Sequence, residues 1–190
     1  MKLSRIINFA HSLLQTAVEE GDTVVDATVG NGHDTLLLAK LVGESGQVFG
    51  FDIQEEAIAQ TEKRMEENML AHRVTLFNRG HETIKETIPM QYYSTISAAV
   101  FNLGYLPGGN KEIVTKSNTT ISAITQLLEI MPQEGIIIIV IYHGHPEGAK
   151  ERNEVLNFVT HLDQKAAHVL RYEFINQRNN PPFIIAIEKR

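Results

Sequence analysis

Asp26 and Asp52 each close a short apolar run, and a glycine turn lies between them, so two carboxylates and two glycines can converge on one small site. Thr23 to Asp34 reads TVVDATVGNGHD and Phe51 to Gln54 reads FDIQ, with Asp52 twenty positions after Gly32. A strand ending in an acid, a turn holding Gly30 and Gly32, and a helix start are the parts of a nucleotide-binding crevice at the carboxyl ends of adjacent parallel strands. The glycines permit positive φ and let a ligand approach the main chain. The helix that follows offers unpaired N–H groups to a carboxylate or phosphate. Asp52 can accept both hydroxyls of a ribose, with Gln54 near the adenosine. The plainer reading is a tight turn with Asp52 capping the next helix.

NAD and S-adenosylmethionine share this layout. Asp26 stands beside the turn, where a carboxylate suits the amino-acid end of a cationic cofactor and would repel a pyrophosphate. Three positions after Gly32 stands Thr35, where GxGxxG would have its third glycine. The methyl donor is the better fit. After the third strand, NRGHET sets His81 and Glu82 at the rim of the crevice beside an adenine, unless they form only a helix cap with a solvated histidine.

An activated methyl group asks its protein for in-line alignment, an unprotonated lone pair and exclusion of water. The loop FNLGYLPGGN after the fourth strand faces the first turn and offers acceptor chemistry: the Asn102 side-chain carbonyl, the backbone at Leu103 and Gly104, and Tyr105 to stack or hydrogen-bond. Gly108 and Gly109 leave its far end mobile. The N-L-G-Y run is similar to the N-P-P-Y loop of amine methylases but lacks both prolines. An alkylamine acceptor must also lose a proton, and YHGHPEG supplies His143 and His145 at the same sheet edge as the source of a histidine to take it, with His143 the candidate catalytic residue and the proton acceptor left unnamed. A metal shared by these two with His81 lacks a supporting carboxylate spacing, so no metal is expected. An ordinary exposed loop is the other reading.

The elements that must position these groups follow from hydrophobic period. Helices are expected over Ser4–Glu20, Asp34–Leu41, Gln54–Leu70, part of Glu82–Ile88, Thr119–Met131 and Glu147–Leu162. Strands are expected over Thr23–Ala27, Gln47–Phe51, Val74–Phe77, Ser94–Phe101, Ile136–Tyr142, Ala167–Ile175 and Phe183–Glu188. Alternation of strand and helix, closed by two strands with no helix between them, makes an α/β fold. It is Rossmann-like and doubly wound, a mostly parallel seven-stranded sheet with a C-terminal antiparallel hairpin. The 190 residues suit one domain, 1–190. With 43% hydrophobic residues and no run long enough to span a bilayer, a cytoplasmic protein without membrane attachment is expected. The absence of cysteine excludes disulfides and thiolate chemistry. A net charge of −6 argues against non-specific polyanion binding but leaves room for a local basic patch. Lys2, Arg5, Lys150, Arg152 and Arg178 form an RNA footprint only if they share a face with the crevice.

DATVGNGHDT, FDIQ, FNLGYLPGGN, YHGHPEG and NQRNNPPF, in this order, resemble the small bacterial S-adenosylmethionine-dependent methyltransferases of the YtqB/MnmM type, essentially end to end. The resemblance implies a class I methyltransferase fold and methylation of the aminomethyl nitrogen of 5-(aminomethyl)-2-thiouridine at the tRNA wobble position. It implies cofactor contacts from Asn31 and its neighbours Gly30, Gly32 and Asp34 in the turn, from Asp52 and Gln54 at the ribose, and from His81 with Glu82 near the adenine. The FNLGYLPGG loop would face the base, and the protein would form a homodimer. No RNA-binding domain is appended, so the tRNA is expected to meet the catalytic face itself. Methylation of another RNA position or a small amine, and non-catalytic cofactor binding, are the alternatives.

Overall fold

The computed structural model describes residues 2–106, 108 and 113–190. Its strands are β1 (Thr23–Asp26), β2 (Gln47–Asp52), β3 (Val74–Asn78), β4 (Ile96–Leu103), β5 (Ile136–Ile141), β6 (Ala167–Tyr172) and β7 (Phe183–Lys189). Its helices are α1 (Ile6–Ala17), α2 (His33–Leu41), α3 (Glu55–Glu67), α4 (Ile84–Thr87), α5 (Ser117–Ile130) and α6 (Pro146–Thr160). The sheet runs β3-β2-β1-β4-β5-β7-β6. β1 to β5 are mutually parallel, whereas β7 pairs antiparallel with both β5 and β6. This is the expected architecture. Strand order reverses between β1 and β4, so the loops after Asp26 and after Leu103 open opposite each other, at the place where such sheets hold ligands.

Alternation along each strand divides the core into two layers. Val25, Phe51, Phe101 and Ile139 face α4, α5 and α6 through Ile84, Ile124, Leu127 and Val155. Val24, Val48, Val100, Ile138 and Val140 face α1, α2 and α3 through Leu14, Leu38 and Met65. β5 is buried on both faces, as a central strand must be when helices cover both sides. On α1 the buried residues Ile6, Ala10 and Leu14 recur at intervals of four, which makes one stripe docked on the β4–β5–β7 side of the sheet.

Several boundaries move from their sequence expectations. α1 ends at Ala17 rather than Glu20, because the Glu19 N–H is taken by the Asp22 carboxylate and starts a turn. β4 runs two residues past Phe101, since Asn102 and Leu103 continue the ladder beside Val140 and Ile141. Asn102 therefore projects from a strand, not from a loop. Ser94 and Thr95 belong to a 3-10 segment, Met90–Thr95, and β6 stops at Tyr172. Among the described residues no helix is long and apolar enough to cross a membrane. Gly109, read above as part of a mobile loop end, lies outside the described residues.

Thr61 of α3 is fully buried and donates its hydroxyl to the Gly30 carbonyl at 3.2 Å, so helix and glycine turn are packed directly together. A Cβ on Gly32 would stand 2.5 Å from Thr61 Oγ1, on a residue held at φ 71°. Gly32 is thus required by helix packing rather than by ligand approach. Gly32→Ala is expected to lose about 2–4 kcal/mol, from overpacking added to a left-handed backbone, read as a shift in the urea denaturation midpoint.

Candidate functional site

Two cavities open at the carboxyl ends of β1 and β4. The first, about 280 Å³, is lined by Asp52, Gln54, His81, Glu82 and, from the far side, Asn102 and Tyr105. The second, about 980 Å³, is lined by Asn31, Asp34, Asn102, Tyr105 and His143, together with His11 of α1. Thr28, Gly30, Asn102, Gly104 and Tyr105 line both. They form a common wall.

Asp52 ends β2 with both carboxylate oxygens anchored. Oδ2 accepts from the Gly30 N–H and Oδ1 from the Gln54 N–H, each at 2.9 Å. Each oxygen keeps a further lone pair for a ligand, so the carboxylate tightens the turn and still serves the cavity. His81 does not stand at the rim as a solvated cap; it is 7% exposed, with its edge against Phe101. A carbonyl can only accept, so the 3.0 Å contact with Ala27 O makes Nδ1 the protonated nitrogen. Burial lowers the imidazole's pKa and keeps it neutral. Nε2 is then a buried acceptor without a partner, on a residue that lines the first cavity. A polar nucleoside with N–H and ribose O–H donors fits such a set: an orphaned acceptor, an anchored carboxylate and backbone polar groups.

The second cavity is organised by Asp34. Its Oδ1 lies 2.7 Å from His11 Nε2, and its Oδ2 accepts from Asn102 Nδ2 at 2.7 Å. Burial alone would raise the Asp34 carboxyl, but the hydrogen bonds from His11 and Asn102 outweigh it and hold the group below its ordinary value. The Asp34 bond in turn raises His11, against partial burial. Because an ionised carboxylate donates nothing, it settles the Asn102 amide orientation: nitrogen toward Asp34, Oδ1 left as an acceptor. The Asn102 backbone N–H donates to Thr28 Oγ1 at 2.7 Å, which fixes the residue from both ends.

The structure redistributes the residues expected from sequence. Asp52, Gln54, His81 and Glu82 share the first cavity, while Asn31, Asp34 and His143 line the second and Asn102 and Tyr105 stand between them. Gly30 lines both, at φ 51°. Asp26 lines neither: it is fully buried, accepting from Thr35 Oγ1 at 2.6 Å and from the Thr28 N–H at 3.2 Å. It braces the turn from behind. Gly32 lines neither cavity.

His143 also departs from its expected part. Arg152 Nη1 lies 3.1 Å from Nδ1 and can only donate, so Nδ1 accepts, and Nε2 then donates to Pro181 O at 3.0 Å. Burial and the Arg152 charge lower its pKa. Both nitrogens are committed, and His143 offers no free lone pair to take a proton. His145 is the N-cap of α6, with Nδ1 accepting from the Gly148 N–H, and its ring meets that of Tyr105 at 5.7 Å. His81 faces the first cavity and His143 and His145 the second. Among the described residues no three His, Asp or Glu side chains converge on a metal position.

Two participants escaped the sequence reading. His11 sits on the polar side of an ordinary amphipathic helix, and only the docking of α1 brings it to Asp34. Glu151 of α6 is 3% exposed; its Oε2 accepts from Thr115 Oγ1 and its Oε1 from Thr120 Oγ1. Thr115 also exchanges backbone and side-chain bonds with Gly104, beside a Tyr105–Val114 bridge. Glu151 thereby clamps the neck of the loop that follows β4.

Comparison with known proteins shows the family and the fold. The family described as "Putative rRNA methylase" matches residues 48–188, and the chain belongs to it. It is 36% identical over 189 residues to the chloroplastic tRNA (mnm(5)s(2)U34)-methyltransferase of Arabidopsis thaliana, covering 95% of this chain and 68% of that protein. A "putative rRNA-methylase" crystal structure from Clostridium thermocellum superposes with TM-score 0.96 at 45% identity, over 100% of both chains. SMU.1697c of Streptococcus mutans, described as "a putative methyltransferase" and solved in complex with SAH, does so with TM-score 0.89 at 38% identity, over 99% of both. The fold is that of class I S-adenosylmethionine-dependent methyltransferases.

Burial, with the Asp34 charge adding to it, raises the Asp26 carboxyl from 3.8 to about 7. Below the lower value both folded and unfolded chains hold this proton. Between the two values only the folded chain does, so the Asp26 contribution to stability falls as pH rises, by up to about 1.4 kcal/mol per unit, and levels off above the upper value. Asp26→Asn should flatten that slope in urea denaturation between these pH values; identical slopes would remove the buried carboxyl from its assigned state. Asp52→Ala should weaken S-adenosylmethionine binding by at least tenfold in calorimetry, about the loss of one charge-assisted hydrogen bond.

Proposed function

We propose that this chain, an S-adenosylmethionine-dependent methyltransferase, methylates the aminomethyl nitrogen of 5-(aminomethyl)-2-thiouridine at the wobble position of tRNA. The observation that carries this reading is Asn102. It lies in the wall common to a nucleoside-sized cavity and a wider cleft, and its amide nitrogen is held by Asp34 so that Oδ1 remains to accept an N–H. Similarity over nearly the whole chain to a plant enzyme named for mnm(5)s(2)U34, the nucleoside that one N-methylation of this acceptor yields, supports the choice of substrate.

Bound S-adenosylmethionine supplies a methyl group activated on a sulfonium; Asp52, Gln54, His81 and Glu82 are the residues that would hold it. In the second cavity the ionised Asp34 carboxylate offsets the positive charge of an incoming ammonium group. Asn102 Oδ1 orients the nitrogen, and Tyr105, in the same wall, covers the base. With His11 Nε2–H donated to Asp34, its Nδ1 is the acceptor left on the ring and takes the ammonium proton. The imidazolium so formed is stabilised by Asp34, in the manner of a histidine held by a buried aspartate. This assigns proton removal to His11 and leaves His143 as a strut. A homodimer would bring a second copy of the site to the same tRNA population without altering this chemistry.

Purified protein incubated with the cofactor and tRNA carrying 5-(aminomethyl)-2-thiouridine should add one methyl to that nucleoside, read by mass spectrometry after digestion. Methyl gain on a different nucleoside, or none with cofactor binding intact, would send the assignment to another RNA or a small amine. Asn102→Ala should slow single-turnover transfer with little change in cofactor affinity. His11→Gln keeps a partner for Asp34 but cannot titrate, so it should slow transfer roughly a hundredfold at neutral pH and much less near pH 9, where the amine sheds its own proton. An equal loss at both pH values would remove His11 as the proton acceptor.

A further inference from the structure

A third cleft, about 510 Å³, lies beside the second and is lined by Arg152, Arg171 and Arg178, with the polar loop between β6 and β7 along one side. His143 and Asn180 line both clefts, so the two are continuous. Glu173 is the one carboxylate among the lining residues of the third cleft, against three arginines. In a protein of net charge −6, this is a locally basic groove leading out of the acceptor cavity.

The groove is built, not incidental. Arg171 pairs with Glu173 and its guanidinium carbon lies over the Phe183 ring, 4.5 Å from the ring centroid. Arg152 is held by His143 Nδ1 at 3.1 Å and Asn153 Oδ1 at 3.0 Å. Arg178 is exposed. Asn179 and Asn180 take φ 69° and 50°, left-handed positions that asparagine tolerates best among residues with a Cβ, and Pro181 and Pro182 follow. The loop is therefore pre-shaped, and it carries amide donors next to the arginines.

We propose that this groove carries the phosphodiester backbone of the RNA strand whose base enters the acceptor cavity. The proposal rests on the RNA reading of the preceding subsection. Guanidinium groups suit phosphate oxygens, and side-chain amides suit phosphate and sugar. A base flipped or splayed into the second cavity drags its flanking phosphates across the mouth, and the mouth at His143 and Asn180 is where the groove begins. It also gives His143 a use: the imidazole ties Arg152 to the Pro181 carbonyl and so joins the groove's two sides. Lys150, outside the lining of this groove, has no assigned part in it.

The test uses the full chain and a fluorescently labelled anticodon stem-loop carrying the modified uridine, with binding read by anisotropy from about 50 to 200 mM salt, and methylation of the same RNA followed in parallel. Arg178→Ala should raise Kd several-fold and Arg178→Glu more, and each should lower the slope of log K against log salt by about 0.7–0.9, the release expected for one phosphate contact. Arg152→Gln should do the same. Cofactor affinity measured by calorimetry, unchanged in Arg178→Glu, shows that the protein is folded. If the wild type methylates the RNA while the Arg178 and Arg152 variants keep its Kd and salt slope, the groove is overturned and the enzymatic reading stands. Binding of the stem-loop without methylation sinks the substrate reading, and the Arg178 variants still decide the groove. Failure of the wild type to bind overturns the groove.

Discussion

The Asp34 carboxylate is the joint on which the site depends. It lies on the first turn of α2, yet its two oxygens bind His11 of α1 and Asn102 at the end of β4. A largely buried carboxylate of this kind is costly unless both oxygens are satisfied. Here its partners come from elements 23 and 68 residues away in sequence. Docking of α1, the β1–β4 switch point and the amide orientation of Asn102 are consequently one problem with one solution. Loss of the charge would free the amide to turn, and with it the acceptor that separates the two cavities.

Asp26 and Asp34 divide the electrostatic work of the turn. Two carboxylates so close in a poorly solvated place do not ionise equally. Asp34, with a histidine and an amide to meet it, stays charged; Asp26, behind it with only Thr35 and the Thr28 N–H, is pushed toward neutrality. A charged Asp26 would bring a second negative charge to a place where Asp34 already offsets the cations. Glu151 behaves in the same way on the other side, where burial raises it while the hydroxyls of Thr115 and Thr120 oppose the rise. Each of these acids holds a loop in place, at a position where a neutral or fully paired carboxyl costs less than a free one.

Histidines show how context assigns one residue type to several tasks. His81 is a neutral buried acceptor facing the first cavity, and His143 is a strut saturated by Arg152 and Pro181. His145 caps a helix, and His11 is paired with a carboxylate. Of these, His11 alone has the arrangement of a base: one nitrogen tied to an acid and the other not needed for packing. The sequence offers His143 and His145 of YHGHPEG together because both stand at the proper sheet edge. Whether the ring nitrogens are free is decided by groups 9 and 38 residues further on.

The sequence by itself determined the elements, the sheet class and the location of the crevice. Hydrophobic period, the DATVGNGHD turn and the acid at Asp52 are local signals, and each acts through the few residues next to it. The boundaries it blurred, such as β4 running on to Leu103, depend on a neighbouring strand. The tertiary structure alone decided which side chains meet: His11 with Asp34, Asp26 turned inward, Gly32 closed by Thr61, Glu151 under the loop neck, and Arg152, Arg171 and Arg178 along one groove. The physical reason is range. Propensity and periodicity reach a turn or two along the chain, whereas hydrogen bonding, desolvation and charge pairing act between whichever atoms the packed sheet and helices bring within a few ångströms.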